Sequence, residues 1–517
     1  MLTILSLLPI ISLLVCLIFL KLSVTKSGLI ALLLTLVIAV LWFGITAFGL
    51  MTASGKALWL ALFVSLIVWL ALFLYHLVND FGAIKVINEN IKVLIKDEFV
   101  SFVLLAWLFS GMLQGIAGFG IPSVIVAPIL ISLGFNPVKA LTAALLGHSW
   151  AITFGSMGAA FFVIQGITKL PAEELGFPVW IFNTSTILLT GIGVCFIYSG
   201  FKGIAKGLLY VLPVAAVMSG VQFFLIHFGM YTLGTLVVAL SGLTVMFLLY
   251  KLRSRGAHCA SDSKGFYKSR LNLLQSVFPY ALIMVLLLSF QFIPSDIKNA
   301  VAIAPDFPAV STTLETPHEV PAESNYNPIR LFVHPGMVLI IAAFAACIIY
   351  KKAGVWDSGI FKNAAKQTVK KGIPATIALL AFGHMSLIMM DSGMMLTLAS
   401  TVADFTGNFY PLISPFLGVL ASFLTGNNTN SNVMFGEFQR AVAENLGLSQ
   451  AVMSAVQSIS GALGCAIGST LVFMAALATK QTDKIPLILK KLIPLVLLIA
   501  LAMGIINIII INKFQTI

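Results

Sequence analysis

Apolar stretches alternate with short polar segments along nearly the whole chain. A helix needs about 20 mostly apolar residues to cross a bilayer. Stretches of that kind lie near residues 3–20, 28–50, 57–78, 179–199, 207–228, 229–250, 273–293, directly after 335, and at 373–390 and 492–511. The pattern therefore predicts an all-α polytopic membrane protein.

Two of the apolar regions are interrupted. Residues 425–432 read Thr-Gly-Asn-Asn-Thr-Asn-Ser-Asn, and residues 111–123 hold four glycines and a proline. A spanning helix disfavours both compositions, and irregular backbone at membrane depth is tolerated only inside protein or beside a water-filled cavity. Interrupted segments in corresponding halves are typical of the binding site of a secondary transporter made of inverted repeats.

A second segment rich in Gly and Ser follows each interrupted one, at residues 147–158 and 458–469. An internal repeat would produce this order. We therefore predict about 12–14 membrane segments in two inverted-repeat halves with interrupted or re-entrant helices. The halves are residues 1–293 and 336–517, and a Pro-rich external linker at 294–335 separates them.

The composition supports a membrane protein, since 59% of the 517 residues are hydrophobic and only 9% are charged. The net charge of +12 does not indicate nucleic-acid binding, because the basic residues lie in short loops between apolar spans. By the positive-inside rule the segments 79–98, 251–270, 351–371 and 480–491 are cytoplasmic loops. Both termini are then outside, and we expect a multi-pass protein of a cell membrane, the bacterial inner membrane.

Other functional classes lack support in the sequence. The five cysteines form no CxxC pair, so neither a metal site nor any cofactor is expected. An intramembrane enzyme would need a motif such as His-Glu-x-x-His or Gly-x-Ser-x-Gly, and the sequence has neither. A channel would need a polar lining that persists across several spans. The remaining class is a carrier of a small organic anion.

The candidate substrate-binding residues come from the interrupted segments. A carboxylate needs hydrogen-bond donors, which half-helix N-termini and side-chain amides or hydroxyls provide. The alternative is that some of these groups only cap helices or join neighbouring helices. The candidates are Gln114, Gly115, Gly118, Gly120, Ser149, Asn427, Asn428, Thr429, Asn430, Ser431 and Asn432.

Two ionisable residues beside the interrupted segments, His148 and Asp391, are the candidates for proton coupling. An imidazole titrates in the relevant pH range, although His148 could instead be a neutral histidine hydrogen-bonded between helices. Glu437, Arg440 and Glu444 follow helical spacing and predict a solvated helix face with weak ion pairs.

Three stretches, residues 114–122, 154–158 and 425–435, resemble the L-lactate permease family. Its members show a Glu-Gly-x-Ala-Gly-Phe-Gly-x-Pro block, a Phe-Gly-x-Met-Gly block and a Thr-Gly-Ser-x-Thr-Ser-Ser-Asn-type block in this order. The resemblance extends over nearly the whole chain. It implies a cytoplasmic-membrane carrier that imports lactate, glycolate and similar 2-hydroxy-monocarboxylates by proton symport.

The chain departs from that family pattern at three ionisable positions. Gln114 stands where the family usually has Glu, Asn428 where it often has Asp, and Cys465 where a Lys can occur. Amides keep the hydrogen-bonding shape but cannot exchange a proton. The alternative function is therefore a carrier for another small organic anion, a sulfonate or keto acid, coupled to sodium or to exchange.

Overall fold

The computed structural model describes residues 1–20, 22–94, 97–118, 120–254, 270–294, 296–297, 300–314 and 317–514. Within these residues, eleven helices are long and apolar enough to cross a membrane, or up to twelve if a bent pair counts as one span. The prediction of an all-α polytopic membrane protein is confirmed. The inverted relation between the two halves stays a prediction.

The N-terminal helices are α1 (Leu2–Leu14, extended by a π-helical turn at Val15–Phe19), α2 (Val24–Leu41), α3 (Ala47–Asp80) and α4 (Ala83–Leu94). The prediction of a loop over residues 79–98 was wrong for most of its length, because α4 occupies it. The apolar residues of α4 recur at helical spacing, and Ile84 and Ile87 are buried.

The first interrupted segment forms a helical hairpin. Its first arm consists of α5 (Glu98–Val103), a π-helical stretch (Leu104–Phe109) and α6 (Ser110–Ala117), and its second arm is α7 (Ile121–Ser132). The second arm packs back against α6 and the π-helical stretch. We call residues 98–132 hairpin 1.

A broken helix follows hairpin 1. It consists of α8 (Pro137–Gly147), a 3-10 turn (Ser149–Ala151) and α9 (Gly155–Thr168), and its two parts are bent by 56°. Next come α10 (Ala172–His227), a 3-10 turn (Tyr231–Leu233), α11 (Leu236–Ser254) and α12 (Leu273–Gln291). Non-helical backbone at Ser199 and Gly200 divides α10 between the predicted spans 179–199 and 207–228.

The linker forms two antiparallel strand pairs. Its strands are β1 (Ala302–Ile303), β2 (Val310–Ser311), β3 (Glu319–Val320) and β4 (Ile329–Arg330); β1 pairs with β4, and β2 with β3. The linker is docked on α3, since the indole Nε1 of Trp59 donates a hydrogen bond of 3.0 Å to the Asn327 carbonyl.

The C-terminal half contains α13 (Pro335–Lys352), α14 (Ser358–Asp391), α15 (Met394–Thr406), a 3-10 turn (Gly407–Phe409), α16 (Tyr410–Thr425), α17 (Asn428–Asn445), α18 (Gln450–Gly464), a 3-10 turn (Cys465–Ile467), α19 (Ser469–Ala478) and α20 (Ile485–Phe514). Much of the predicted loop 351–371 is helical, because the Asp357 side chain caps the start of α14 by accepting hydrogen bonds from two backbone N–H groups.

Helices α16 and α17 form a second hairpin, residues 410–445, which we call hairpin 2, and a broken helix made of α18 and α19 follows it. The same close contact recurs in both halves. An added Cβ on Gly147 would overlap Ala106 of hairpin 1, and one on Gly464 would overlap Val419 of hairpin 2. Each broken helix therefore reaches its break at a glycine that lies against the first arm of its hairpin. Helices α3 and α14 pack along each other, and α14 also contacts α17.

Candidate functional site

The four interruptions of the two halves surround one small cavity. The hairpin tips, at residues 118 and 120 and at 426–427, approach it together with the helix breaks at 152–154 and 465–468. Its lining consists of Gln114, Gly120, His148, Ile152, Gly155, Ser156, Ala159, Ala160, Asn427, Asn428, Thr429, Cys465 and Leu471. Both halves of the chain therefore contribute to a single site, which we call the central cavity.

Helix ends dominate the polar surroundings of the central cavity. Helices α7, α9, α17 and α19 begin beside it, and α6, α8, α16 and α18 end there. The first turn of a helix carries free N–H groups and the positive end of the dipole, which suit a carboxylate. The last turn carries free carbonyls, which suit a cation. The arrangement can thus hold an anion and a cation next to each other.

The backbone at the cavity adopts conformations that few residues tolerate. Gly118 has φ of 46° and ψ of −155°. Ser156, Met157 and Gly158 are consecutive left-handed residues with φ of 48°, 60° and 82°. Such conformations in residues other than glycine cost about 1–3 kcal/mol each and cluster at functional sites. The break between α8 and α9 is therefore held in place by its surroundings.

His148 and Gln114 present unpaired polar atoms. The ring nitrogen Nδ1 of His148 lies 2.8 Å from the Ala144 carbonyl of the same helix, so Nδ1 carries a hydrogen. The other ring nitrogen, Nε2, is buried and has no hydrogen-bond partner among the described residues, and the same holds for Oε1 of Gln114. Buried polar atoms are nearly always paired. Because both residues line the cavity, a ligand or water is the partner these atoms can take.

Two asparagines of α17 join the halves. The amide Nδ2 of Asn428 donates to the Ser458 carbonyl at 2.9 Å and to Thr153 Oγ1 at 3.4 Å. Nδ2 of Asn432 donates to the Ala160 carbonyl and to Ser458 Oγ, both at 2.9 Å. A carboxylate at position 428 could not make these donations. The structure thus gives a physical reason for an amide there.

The tip of hairpin 2 also faces α3 and α14. Oδ1 of Asn427 caps α17 by accepting a hydrogen bond of 2.8 Å from the Asn430 backbone N–H. Asn427, Thr429 and Asn430 line a narrow gap whose other walls are residues 64–68 of α3 and 375–379 of α14. The tip therefore lies between the central cavity and these two helices.

Six predicted site residues do not line the central cavity, namely Gly115, Gly118, Ser149, Asn430, Ser431 and Asn432. Gly115 packs against α11, where an added Cβ would crowd the backbone. Oγ of Ser149 donates to the Leu146 carbonyl at 2.7 Å, and Oγ of Ser431 accepts from Gln457 Nε2 at 3.0 Å. The Ser149 contact holds a helix turn, and the Ser431 contact joins hairpin 2 to α18. Both agree with the alternative interpretation, in which such polar groups only cap helices or join neighbouring helices.

Asp391 also lies away from the central cavity, at the C-terminal end of α14. Its carboxylate Oδ2 is 3.4 Å from the Lys56 ammonium, and both side chains are fully buried. Lys56 was missed in the sequence because it immediately precedes the predicted span 57–78. In the structure α3 begins earlier, which places the lysine inside the helix.

Ser156 and Cys465 line the cavity but were not among the predicted residues. The signal for them was present, since both lie in the Gly- and Ser-rich segments 147–158 and 458–469. The prediction of a solvated helix face was wrong for Glu437, whose side chain is 6% exposed and binds Arg440 Nη2 at 2.7 Å. The second arm of hairpin 2 is buried at this position, whereas Glu444 is 54% exposed.

The chain is similar to known permeases over nearly its whole length. A family profile described as L-lactate permease matches residues 3–514. The chain is 28% identical to the L-lactate permease of Streptococcus iniae, covering 87% of this chain and 93% of that protein. It is 26% identical to the L-lactate permease of Bacillus subtilis (strain 168), covering 92% and 90%.

The chain is also 25% identical to the glycolate permease GlcA of Escherichia coli (strain K12), covering 93% of this chain and 90% of that protein. Among solved structures, the YdaH transporter of Alcanivorax borkumensis, reported to have an unusual topology, matches 89% of this chain and 86% of its own. That match has a TM-score of 0.46 and 12% sequence identity.

Proposed function

The chain belongs to the L-lactate permease family, and from this premise we propose that it imports small 2-hydroxy-monocarboxylates such as L-lactate and glycolate by proton symport. As a permease it is a membrane transporter and not an enzyme. The observation that carries the proposal is the central cavity, where four helix N-termini meet amide and imidazole side chains.

The chemistry of the cavity suits this substrate class. Helix N-termini offer N–H groups to the carboxylate. The unpaired acceptors Gln114 Oε1 and His148 Nε2 can receive the hydrogen of a 2-hydroxyl group. Relatives that are named for lactate and for glycolate, which share a carboxylate and a 2-hydroxyl, support the same class.

The cavity is too small for the substrate in this conformation. Its volume of about 30 Å³ has room for about two water molecules, which is too little for L-lactate. Substrate binding therefore requires the hairpin tips and helix breaks to separate. Because the tip of hairpin 2 lies against α3 and α14, a shift relative to these helices would open the site.

A second candidate function is transport of another small organic anion coupled to sodium. Four helix C-termini end at the cavity, and their free carbonyls are suitable sodium ligands. The amides Gln114 and Asn428 cannot carry a proton, but their oxygens can also coordinate a cation.

Transport by the purified protein in liposomes tests the proposal. We expect labelled L-lactate to exchange against unlabelled L-lactate and glycolate, and to accumulate when an inward proton gradient is imposed. Pyruvate, acetate and sulfonated analogues should compete more weakly, because they lack the combination of carboxylate and 2-hydroxyl. Accumulation driven only by a sodium gradient would favour the second candidate, and the absence of exchange with any hydroxy acid would refute the proposal.

We further propose that the termini and the linker face outward and that residues 351–371 and 480–491 face the cytoplasm. The charge asymmetry of the loops supports this orientation. In a variant without native cysteines, an impermeant thiol reagent added to intact cells should label Glu319→Cys and not Lys362→Cys. Both positions are exposed, so permeabilised cells should show labelling of both. The reverse pattern in intact cells would invert the orientation.

A further inference from the structure

The linker places one carboxylate between two lysines that come from different helices. Oε1 of Glu323 lies 2.7 Å from the Lys56 ammonium of α3 and 2.8 Å from the ammonium of Lys169, which directly follows α9. We call Lys56 and Lys169 the lysine clamp. The clamp joins α3 to the segment that carries cavity residues 155–160.

The burial of these groups shows that the clamp needs an anion. The side chain of Lys56 is fully buried, whereas those of Glu323 and Lys169 are 14% and 41% exposed. A buried ammonium group must be paired, and the other partner of Lys56, Asp391, is at the longer distance of 3.4 Å. An anion that leaves the clamp leaves Lys56 with Asp391 at this longer distance, which favours its replacement by another anion.

Glu323 occupies the clamp as a carboxylate. Burial alone would raise the pKa of its carboxyl group, but the two lysines lower the pKa below its ordinary value. Its backbone is fixed by mutual hydrogen bonds with Phe307 of 2.8 and 2.9 Å. A small carboxylate substrate presents the same chemical group to the two lysines.

A large cavity lies near the clamp, lined by chain neighbours of Lys56, Lys169 and Glu323 and not by these three residues themselves, and we call it the linker cavity. It has a volume of about 690 Å³, within the range of about 300–1,000 Å³ typical of small-molecule sites. Its walls include Leu60, Gln165 and Asn327, which lie four residues along the chain from Lys56, Lys169 and Glu323, respectively. Lys169 is half-exposed, so a solute beside the clamp can reach its ammonium group.

The linker cavity shares two lining residues with a smaller gap near the central site. Thr232 and Leu287 line both the linker cavity and a narrow gap beneath it. The other walls of this gap include Gly115 and Met157, which are direct chain neighbours of the central-cavity residues Gln114 and Ser156. An anion in the linker cavity is thus separated from the central cavity by one narrow gap.

We propose that the lysine clamp is a second carboxylate-binding site, which Glu323 fills in this conformation and a small monocarboxylate substrate takes over from it during transport. The proposal rests on the proposed function for the identity of the substrate. In this proposal Glu323 competes with the substrate for the lysine clamp. If the clamp is free of Glu323 for only a tenth of the time, the apparent affinity for substrate is reduced about tenfold.

The test compares Glu323→Gln with the parent protein in liposomes. The glutamine keeps the size of the side chain and removes its charge, and Asp391 remains to pair with Lys56. We expect the KM for L-lactate to fall by up to about tenfold, with little change in maximal rate. The double variant Glu323→Gln/Lys169→Gln should lose this gain. Glu319→Gln, which removes an exposed linker carboxylate, is the matched control and should leave KM unchanged.

A purely structural clamp would give another result. Loss of Glu323 would then lower the maximal rate and the melting temperature while KM stayed the same or rose, and this outcome would overturn the proposal. Melting of the detergent-solubilised variants in L-lactate, against sodium chloride at equal ionic strength, measures binding without transport. L-lactate should stabilise Glu323→Gln at lower concentrations than it stabilises the parent, and the double variant should lack this difference. That result would support the clamp even if the parent failed to transport L-lactate.

Discussion

The variant Gly118→Ala is expected to reach the membrane in normal amounts and to lose most of its substrate uptake. At φ of 46° and ψ of −155° the backbone of Gly118 adopts a conformation that is essentially restricted to glycine. In addition, a Cβ at this position would overlap the hydroxyl of Ser156. Backbone strain of about 1–3 kcal/mol would then fall directly on the tip of hairpin 1. Uptake should decrease by about 5- to 150-fold, the factors that correspond to 1–3 kcal/mol.

A glycine elsewhere in the same region provides a control. Gly134, just after α7, has φ of 92°, but an added Cβ would meet no atom within 4 Å. Gly134→Ala carries the backbone penalty without the collision and should retain most of the uptake. The double variant Gly118→Ala/Ser156→Gly removes the hydroxyl and relaxes a left-handed residue, so it should recover part of the activity. Parental uptake by Gly118→Ala alone would contradict the role assigned to this tip.

The interruptions of the fold could be predicted from the sequence because their chemistry conflicts with lipid. Four glycines and a proline at 111–123, and the amide run at 425–432, disfavour a continuous helix in any tertiary context. The direction that the chain takes after each interruption could not be predicted in this way, because it depends on packing. The return of α7 along its own first arm is set by contacts between residues distant in sequence.

The individual contacts within the amide run could not be predicted for a related reason. Successive residues of a helix point about 100° apart, so neighbours in one polar run face different partners. Asn427, Asn428 and Thr429 line the cavity, whereas Asn432 binds α9 and α18. The sequence contains the polar groups, but the rotation of α17 decides which of them face the cavity.

The contacts of the linker could not be predicted from the sequence either. Its acidic residues and prolines indicated an external segment, yet no local pattern connects Glu323 with Lys56 and Lys169. These three residues meet only because the paired strands of the linker dock on α3 beside the end of α9. Pairings over such sequence separations are properties of the tertiary fold.

The proposed proton coupling now has two candidate groups in very different surroundings. Nε2 of His148 is unpaired and borders the central cavity, so it can accept a proton next to a bound substrate. Asp391 is paired with the buried Lys56 outside that cavity. Protonating Asp391 would leave the lysine with one fewer countercharge, which is unfavourable in a buried position. We therefore propose His148 as the first coupling group and Asp391 as the alternative.

His148→Asn is accordingly expected to exchange labelled for unlabelled substrate but not to accumulate it under an imposed pH gradient. The asparagine amide can still donate to the Ala144 carbonyl, as Nδ1 does now, whereas the titratable Nε2 is lost. The matched control is His384→Asn, because His384 makes the same 2.8 Å contact to a carbonyl four residues earlier but does not line the central cavity. This control should accumulate substrate like the parent.

The comparison with Asp391→Asn assigns the coupling group. If Asp391→Asn loses accumulation while His148→Asn keeps it, the proton is carried at the Lys56 pair and not at the central cavity. If both variants accumulate substrate as the parent does, neither residue carries the proton. If the parent itself does not accumulate substrate under the pH gradient, a sodium gradient is the driving force to impose, because the carbonyls of four helix C-termini and the amide oxygens beside the cavity can coordinate sodium. Exchange must persist in every case, since a carrier without its coupling group still exposes its substrate site alternately to both sides of the membrane.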